Sequence, residues 1–284
     1  MGVVKPWLVK SWLVSGLVAA VVFAAGTAAA ETTLERIVRT KKLTVATEAA
    51  YPPMEYIENG KIVGMASEIL REVARDLDVE VEQIDLPFQG ILPGLLANKF
   101  DLVATSVGIN AERAKRYAYT LPIAENSAHV VRKAGRPIKA LSDLNGRIVA
   151  TQLASSMEPI SRKIDEKLKA DGGPGFKDLK LFPAFSDSFL SVGNGTADVA
   201  IASLPVINNL MASRPGMFEL VGRAVDQPSY VAWVVRPEDK DLREAVNKTL
   251  RRLKQSGRMT ELQEKWLKQS YPLPDSNYLP EGAI

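Results

Sequence analysis

Two stretches in different halves of this 284-residue chain repeat one pattern, and the repeat limits the possible folds more than any other feature. Asn98-Lys-Phe-Asp101-Leu-Val-Ala-Thr-Ser106 is echoed by Asn194-Gly-Thr-Ala-Asp198-Val-Ala-Ile-Ala-Ser203. In both, an aspartate leads a short apolar run and a serine stands five residues after the aspartate. Short apolar runs with turn residues around them read as buried strands of an α/β domain. Open α/β sheets bind ligands at the carboxyl ends of their strands. Two such regions facing each other would put Ser106 and Ser203 across one cleft. The plain alternative is a pair of unrelated helix-to-strand junctions.

The first copy runs on into Val107-Gly108-Ile109, read as a small-residue loop, and then Asn110, a helix N-cap candidate. A helix through Ala111, Glu112 and Arg113 puts the arginine in the first turn. The helix dipole disfavours a cation there by a few tenths to about 1 kcal/mol. An anion sharing the site resolves the conflict. Backbone N–H groups around Gly108, the hydroxyls of Thr105 and Ser106, and a bidentate guanidinium together suit a carboxylate. The alternative is a surface arginine in the basic cluster Arg113, Lys115, Arg116.

The remaining pattern is that of alternating strands and helices. Strands are expected over 43–47, 79–84, 128–131, 147–151, 179–182 and 230–235. Helical faces fall over 34–39, 65–77, 91–97, 185–192, 242–253 and 259–266, and a further helix opens near Met157 after the loop from Gln152 to Ser156. Phe88-Gln89-Gly90 is expected as a loop, because Pro93 sits near the start of the following helix. Glu58-Asn59-Gly60-Lys61 reads as a hairpin turn. The residues from Tyr271 onward read as an irregular, Pro-rich tail. Trp233 is expected in the core, and His129, the only histidine, as a solvated hinge residue.

The N-terminus reads as a secretory leader. Lys5 and Lys10 flank an apolar stretch over 13–25, and Ala28-Ala29-Ala30 is a small-residue cleavage site. Removing those two lysines from the 36 Lys and Arg leaves 34 against 33 Asp and Glu, a net charge of +1. That balance is not the footprint of a nucleic-acid binder. The absence of cysteine excludes disulfides, thiol catalysis, a cysteine zinc site and a lipidated cysteine at the cleavage point. No HExxH, GxSxG or phosphate-loop pattern occurs, and Gly193-x-Gly195 lacks the third glycine of a dinucleotide fingerprint. No cofactor or metal is expected.

The chain resembles the periplasmic solute-binding proteins of the polar amino-acid ABC transporter family. The resemblance is carried by LTVATEAAYPPMEY, GKIVGMASEILREVA, FQGILPGLLANKFDLVATSVGINAERAKR, DLNGRIVATQ and VNKTLRRLKQSGRMTELQEKW. It implies a two-lobe periplasmic-binding-protein fold of type II, with the cleft between lobes joined by two crossing strands. The expected division is leader 1–30, first lobe 31–127 plus 230–284, and second lobe 128–229. The family pattern implies an aromatic wall on the ligand from Tyr51 and Phe88. It implies Arg113 and the Gly108 N–H on an α-carboxylate, and Thr105 and Ser106 on the amino side. Ser155 and Ser156 match hydroxyls at a second-lobe helix N-terminus. The implied partners are a small amino-acid-like ligand and an inner-membrane ABC permease, with the protein a monomer in the periplasm.

The chain departs from that pattern at four places. Glu48 stands where Asp is usual, Gly108 where Ser or Thr is usual, and Ala154 where Gly is usual. Ser203 stands where amino-acid binders carry the aspartate that neutralises the ligand ammonium. Glu48 is left as the acid that could serve that end, or the ligand lacks a free primary amine. The competing reading is a periplasmic dehydratase-type enzyme on the same fold. Such an enzyme needs a general acid in the cleft, and Glu48 is the only candidate. A receptor's sensor module, which would need a following membrane segment, is the third.

Overall fold

The structure, a computed structural model, describes residues 1–3 and 30–284. The apolar stretch of the expected leader lies outside the described residues. Among the described residues no helix is long and apolar enough to cross a membrane.

Helix α1 (Thr33–Thr40) opens with a capping box. Glu35 N–H donates to Thr32 Oγ1 (3.2 Å) and Thr32 N–H donates to a Glu35 carboxylate oxygen (2.8 Å). Strand β1 (Lys42–Thr47) leads into a small hairpin sheet of β2 (Ala50–Tyr51), β3 (Glu55–Glu58) and β4 (Lys61–Val63). Asn59 and Gly60 both take positive φ (51° and 74°), as a two-residue hairpin turn requires. Helix α2 (Met65–Leu77) buries Met65, Ile69, Leu70 and Val73, the face the apolar spacing predicts. Then come β5 (Glu80–Asp85), α3 (Phe88–Leu96), β6 (Leu102–Gly108), the single-turn α4 (Ala111–Ala114) and β7 (Ala118–Glu125).

The chain next forms β8 (Ala128–Lys133), β9 (Ile148–Gln152), α5 (Met157–Ala170), β10 (Asp178–Phe182) and α6 (Phe185–Gly193). These are followed by β11 (Val199–Ser203), α7 (Leu204–Ser213) and β12 (Phe218–Arg223). It closes with β13 (Tyr230–Val235), α8 (Lys240–Gln255) and α9 (Arg258–Leu267). One five-stranded sheet has the order β5-β1-β6-β13-β7 and the other β10-β9-β11-β8-β12. Each has a parallel trio, with antiparallel strands beside it. This is the two-lobe, type II architecture.

The sequence echo has a structural cause. Asp101 leads β6, and its carboxylate accepts from the Thr44 N–H of β1 (3.1 Å). Asp198 leads β11, and its carboxylate accepts from the Ile148 N–H of β9 (2.9 Å). Further along, Thr47 Oγ1 donates to the Ala104 carbonyl (3.0 Å) and Thr151 Oγ1 to the Ile201 carbonyl (2.9 Å). Each aspartate thus satisfies a neighbouring strand's N–H just before the parallel ladder with its own strand begins, and both lobes use the same device.

The chain passes between the sheets twice, from β7 to β8 and from β12 to β13. The two passages hold each other: Asn126 N–H donates to Ser229 O and Ser229 Oγ donates to Asn126 O, both at 2.7 Å.

Three expectations need correction. Residues 88–90 are helical, because Pro87 stands just before the first turn with φ −56° and Gly90 N–H closes that turn on the Pro87 carbonyl. β6 extends through Gly108, which belongs to the strand and not to a loop. His129 is buried, with Nδ1 3.0 Å from the Ser127 carbonyl, since β8 is sandwiched between β11 and β12. β7 had no strand signal in the sequence: Pro122 interrupts it, a residue tolerated because β7 is an edge strand and bulged there.

Candidate functional site

The carboxyl ends of β1, β6, β9 and β11 meet at one cleft between the two sheets. The space left is small, about 10 Å³, roughly the room one water needs. It is lined by seven of the ten residues expected from the sequence: Glu48, Tyr51, Phe88, Ser106, Gly108, Ser155 and Ser156. Asn126, Gln152, Met157 and Phe185 complete the lining. Thr105, Arg113 and Ser203 stand at its border, each bonded to a lining residue or to the carboxylate behind it.

The lobes are joined across this space by direct polar contacts. Tyr51 Oη and Ser203 Oγ lie 2.7 Å apart. Gln152 Nε2 donates to Glu48, and Asn126 Nδ2 donates to Ser156 Oγ (3.0 Å). Arg113 Nη1 donates to the Gly108 carbonyl (3.0 Å), and Nη2 to the Ala154 carbonyl of the other lobe. Its guanidinium also lies over the Phe88 ring, 5.6 Å from the centroid. Asn110 caps α4 as expected, with Oδ1 accepting from Arg113 N–H (2.9 Å). The hydrogen-bond acceptors of the guanidinium are neutral carbonyls, and among the described residues no ion pair includes it.

At Gly108 the backbone of β6 lies against Ser156 of the other lobe. A Cβ there would lie 2.2 Å from Ser156 Oγ and 2.5 Å from Ser156 Cβ. The Ser or Thr expected there from the resemblance would press on Ser156 in this closed arrangement. Ala154 takes φ +58°, the left-handed region that favours glycine, which explains why glycine is usual there.

Two carboxylic acids behind the cleft titrate far from their ordinary value. Burial is the main cause for Glu48, with the Glu55 charge second; the Gln152 hydrogen bond opposes and Asp85 adds. It is pushed from 4.5 to about 8. Glu55 is pushed up by burial to about 7, opposed by three hydrogen bonds. These come from Thr105 Oγ1 (2.7 Å), Ser106 N–H (2.7 Å) and Ser106 Oγ (3.0 Å). Glu55 therefore fixes both hydroxyls at the end of β6 with their protons turned back; Thr105 Oγ1 also accepts from the Glu48 N–H (3.4 Å), and Ser106 Oγ faces the cleft.

Sequence reasoning missed Glu55, Asn126, Gln152, Met157 and Phe185. Glu55 had a signal: it pairs with Tyr51 across the hairpin, so its side chain shares a face with that ring. Gln152 is the last residue of β9, at the strand end where ligands bind. Asn126 and Phe185 carry no local signal, since only the closure of the lobes brings them in.

A two-lobe fold with polar side chains converging from both lobes defines the solute-binding class. The sequence profile of the bacterial extracellular solute-binding proteins, family 3, matches residues 43–269, and the chain belongs to that family. It is 26% identical to the ABC transporter arginine-binding protein 1 of Escherichia coli K12 over 234 residues, covering 81% of this chain and 92% of the relative. An ancestral arginine-binding protein bound to arginine superposes with a TM-score of 0.71 at 31% identity, covering 80% of this chain and 98% of that one. The ancestral amino acid-binding protein AncCDT-1, a precursor of cyclohexadienyl dehydratase, gives a TM-score of 0.73 at 27% identity, with 83% and 99% covered.

Proposed function

We propose that the chain is the capture subunit of an ABC importer, exported by cleavage after Ala30 and acting as a periplasmic monomer. Its lobes, 31–127 plus 230–284 and 128–229, close on a small carboxylate-bearing, amino-acid-like ligand. One observation carries the reading: Arg113 lies half-buried between the lobes, and the hydrogen-bond acceptors of its guanidinium are neutral carbonyls. A cation in such a place is stabilised by an anion, and a bidentate carboxylate fits a guanidinium best. The ligand biases a two-state hinge by touching both lobes. The names of the relatives support an amino-acid ligand.

At the nitrogen end the ammonium-neutralising aspartate is replaced by Ser203, whose hydroxyl is engaged by Tyr51. Glu48 is the one acid left in the cleft, and it is protonated at neutral pH in the closed form. This favours a ligand whose nitrogen is substituted or displaced from the α position. Thermal shift over a panel of amino acids and their N-substituted derivatives tests the reading. A ligand at 100 times its Kd stabilises by about 2.7 kcal/mol, and no shift with any carboxylate would refute it.

Glu48 also favours a second reading, a dehydratase-type enzyme. A protonated acid in a closed cleft is what a general acid requires, and AncCDT-1 is related. Mass spectrometry of the bound compound after incubation separates the two: a binding protein returns it unchanged.

A further inference from the structure

Beside the polar cleft lies a second cavity between the lobes, of about 190 Å³. Its apolar walls include Ala50 and Pro52, on either side of Tyr51, and Phe185, Phe189, Val206 and Leu210 from α6 and α7, while Ser186, Asn209, Ser213 and Arg214 form a polar border. Phe185 lines both cavities. Its ring packs against Tyr51 with centroids 5.5 Å apart, and against Phe189 at 6.3 Å. The Tyr51–Phe185 pair is therefore the wall that the cleft and the chamber share.

We propose that the chamber receives an apolar arm of the ligand, about the size of one aromatic ring. The inference rests on the reading that the ligand's carboxylate is held at Arg113. A cavity of roughly 150 Å³ has room for benzene, so a mostly apolar space of 190 Å³ has room for a single ring. Aromatic walls add offset and edge contacts that an aliphatic pocket lacks. The partition between the two spaces carries no charge, because its polar end is the hydroxyl pair Tyr51–Ser203. An aspartate at 203 would put a carboxylate beside this apolar space, at the head of the helix that bears Val206 and Leu210. Ser203 then has a reason of its own: it keeps the partition between cleft and chamber uncharged. The site would select a carboxylate with a ring-bearing arm and disfavour a ligand whose arm ends in a positive charge, because Arg214 stands at the border of the chamber.

The test is calorimetric titration of the purified protein with glycine, L-arginine, L-phenylalanine and N-benzoylglycine. The proposal expects one of the two ring-bearing carboxylates to bind at least tenfold more tightly than glycine and arginine. Ala50→Phe fills the chamber from an exposed edge position. It should weaken the ring-bearing ligand at least tenfold more than it weakens arginine. Val206→Ala enlarges the chamber and should shift preference from N-benzoylglycine towards N-(2-naphthoyl)glycine. If arginine or glycine binds as tightly as either ring-bearing compound, or if Ala50→Phe affects all ligands alike, the inference falls while the capture reading stands. If none of the carboxylates binds, both fall.

Discussion

Tyr51 and Ser203 share a hydrogen bond of 2.7 Å that closes the cleft from one lobe to the other. Both partners are neutral, so the end of β11 carries no charge at this point. Ser203→Asp would restore an acid beside the Tyr51 hydroxyl and in reach of a ligand ammonium. The account expects this variant to bind simple α-amino acids more tightly than the wild-type protein does, by about tenfold or more, since charged hydrogen bonds are worth roughly 1.5–3 kcal/mol. The native ligand should gain nothing. If the wild-type protein already binds a plain α-amino acid tightly and the substitution changes nothing, Ser203 does not face the nitrogen.

Gly108 controls how far the lobes close. The Cβ added by Gly108→Ala would press on the Ser156 side chain, at 2.2 and 2.5 Å. The expected result is a cleft held ajar. Ligand affinity falls by about tenfold or more, while the melting temperature without ligand changes little, because alanine keeps the extended backbone of β6 and its added methyl meets the side chain of Ser156. Adding Ser156→Gly should recover much of the loss. Small-angle scattering with saturating ligand checks it: a variant that contracts as fully as the wild type contradicts the steric argument.

Ala154 sits in the left-handed region at φ +58°, with its N–H bonded to Glu158 (2.9 Å) and its carbonyl to Arg113. A non-glycine residue there costs roughly 1–2 kcal/mol. Ala154→Gly should raise the melting temperature by about 2–4 °C in a chain of this size. A lower melting temperature would show that the strain is absorbed by the surrounding turn.

The raised pKa of Glu48 links stability to pH. In the closed protein it holds its proton up to about 8, whereas a solvated carboxyl loses it near 4.5. Its stabilising contribution is complete below 4.5 and is lost as pH rises through about 8. Melting temperature should therefore decline over that window, and Glu48→Gln should flatten the decline. Glu55, pushed up to about 7, leaves a smaller slope in the variant. Identical pH profiles for the two proteins would mean that Glu48 is solvated. A ligand bringing a cation to Glu48 would expel its proton, and titration in buffers of different ionisation enthalpy reads this directly.

Much of the architecture was legible because strand ends announce themselves. The paired aspartates at 101 and 198 each satisfy a neighbouring strand's N–H, so the echo in sequence is an echo in hydrogen bonding. Asn110 and the Arg113 turn were likewise local features. What was hidden is what closure creates. Nothing near Gln152 in sequence points to Glu48, and nothing near Phe185 points to Tyr51, since these pairs meet only across the cleft. β7 escaped because Pro122 lies in an edge strand, where the missing N–H costs least.

The central claim is that Arg113 holds a carboxylate inside the closed cleft. The direct measurement is a calorimetric cycle: the tightest ligand of the panel and its carboxamide, each against the wild-type protein and Arg113→Ala. Truncating one member of a desolvated charge pair costs roughly 2–5 kcal/mol, a loss of about 30-fold or more. The account predicts that the carboxamide suffers such a loss on the wild-type protein and much less on Arg113→Ala, because the two changes remove the same interaction. A carboxamide that binds the wild-type protein within about threefold of the acid would contradict it.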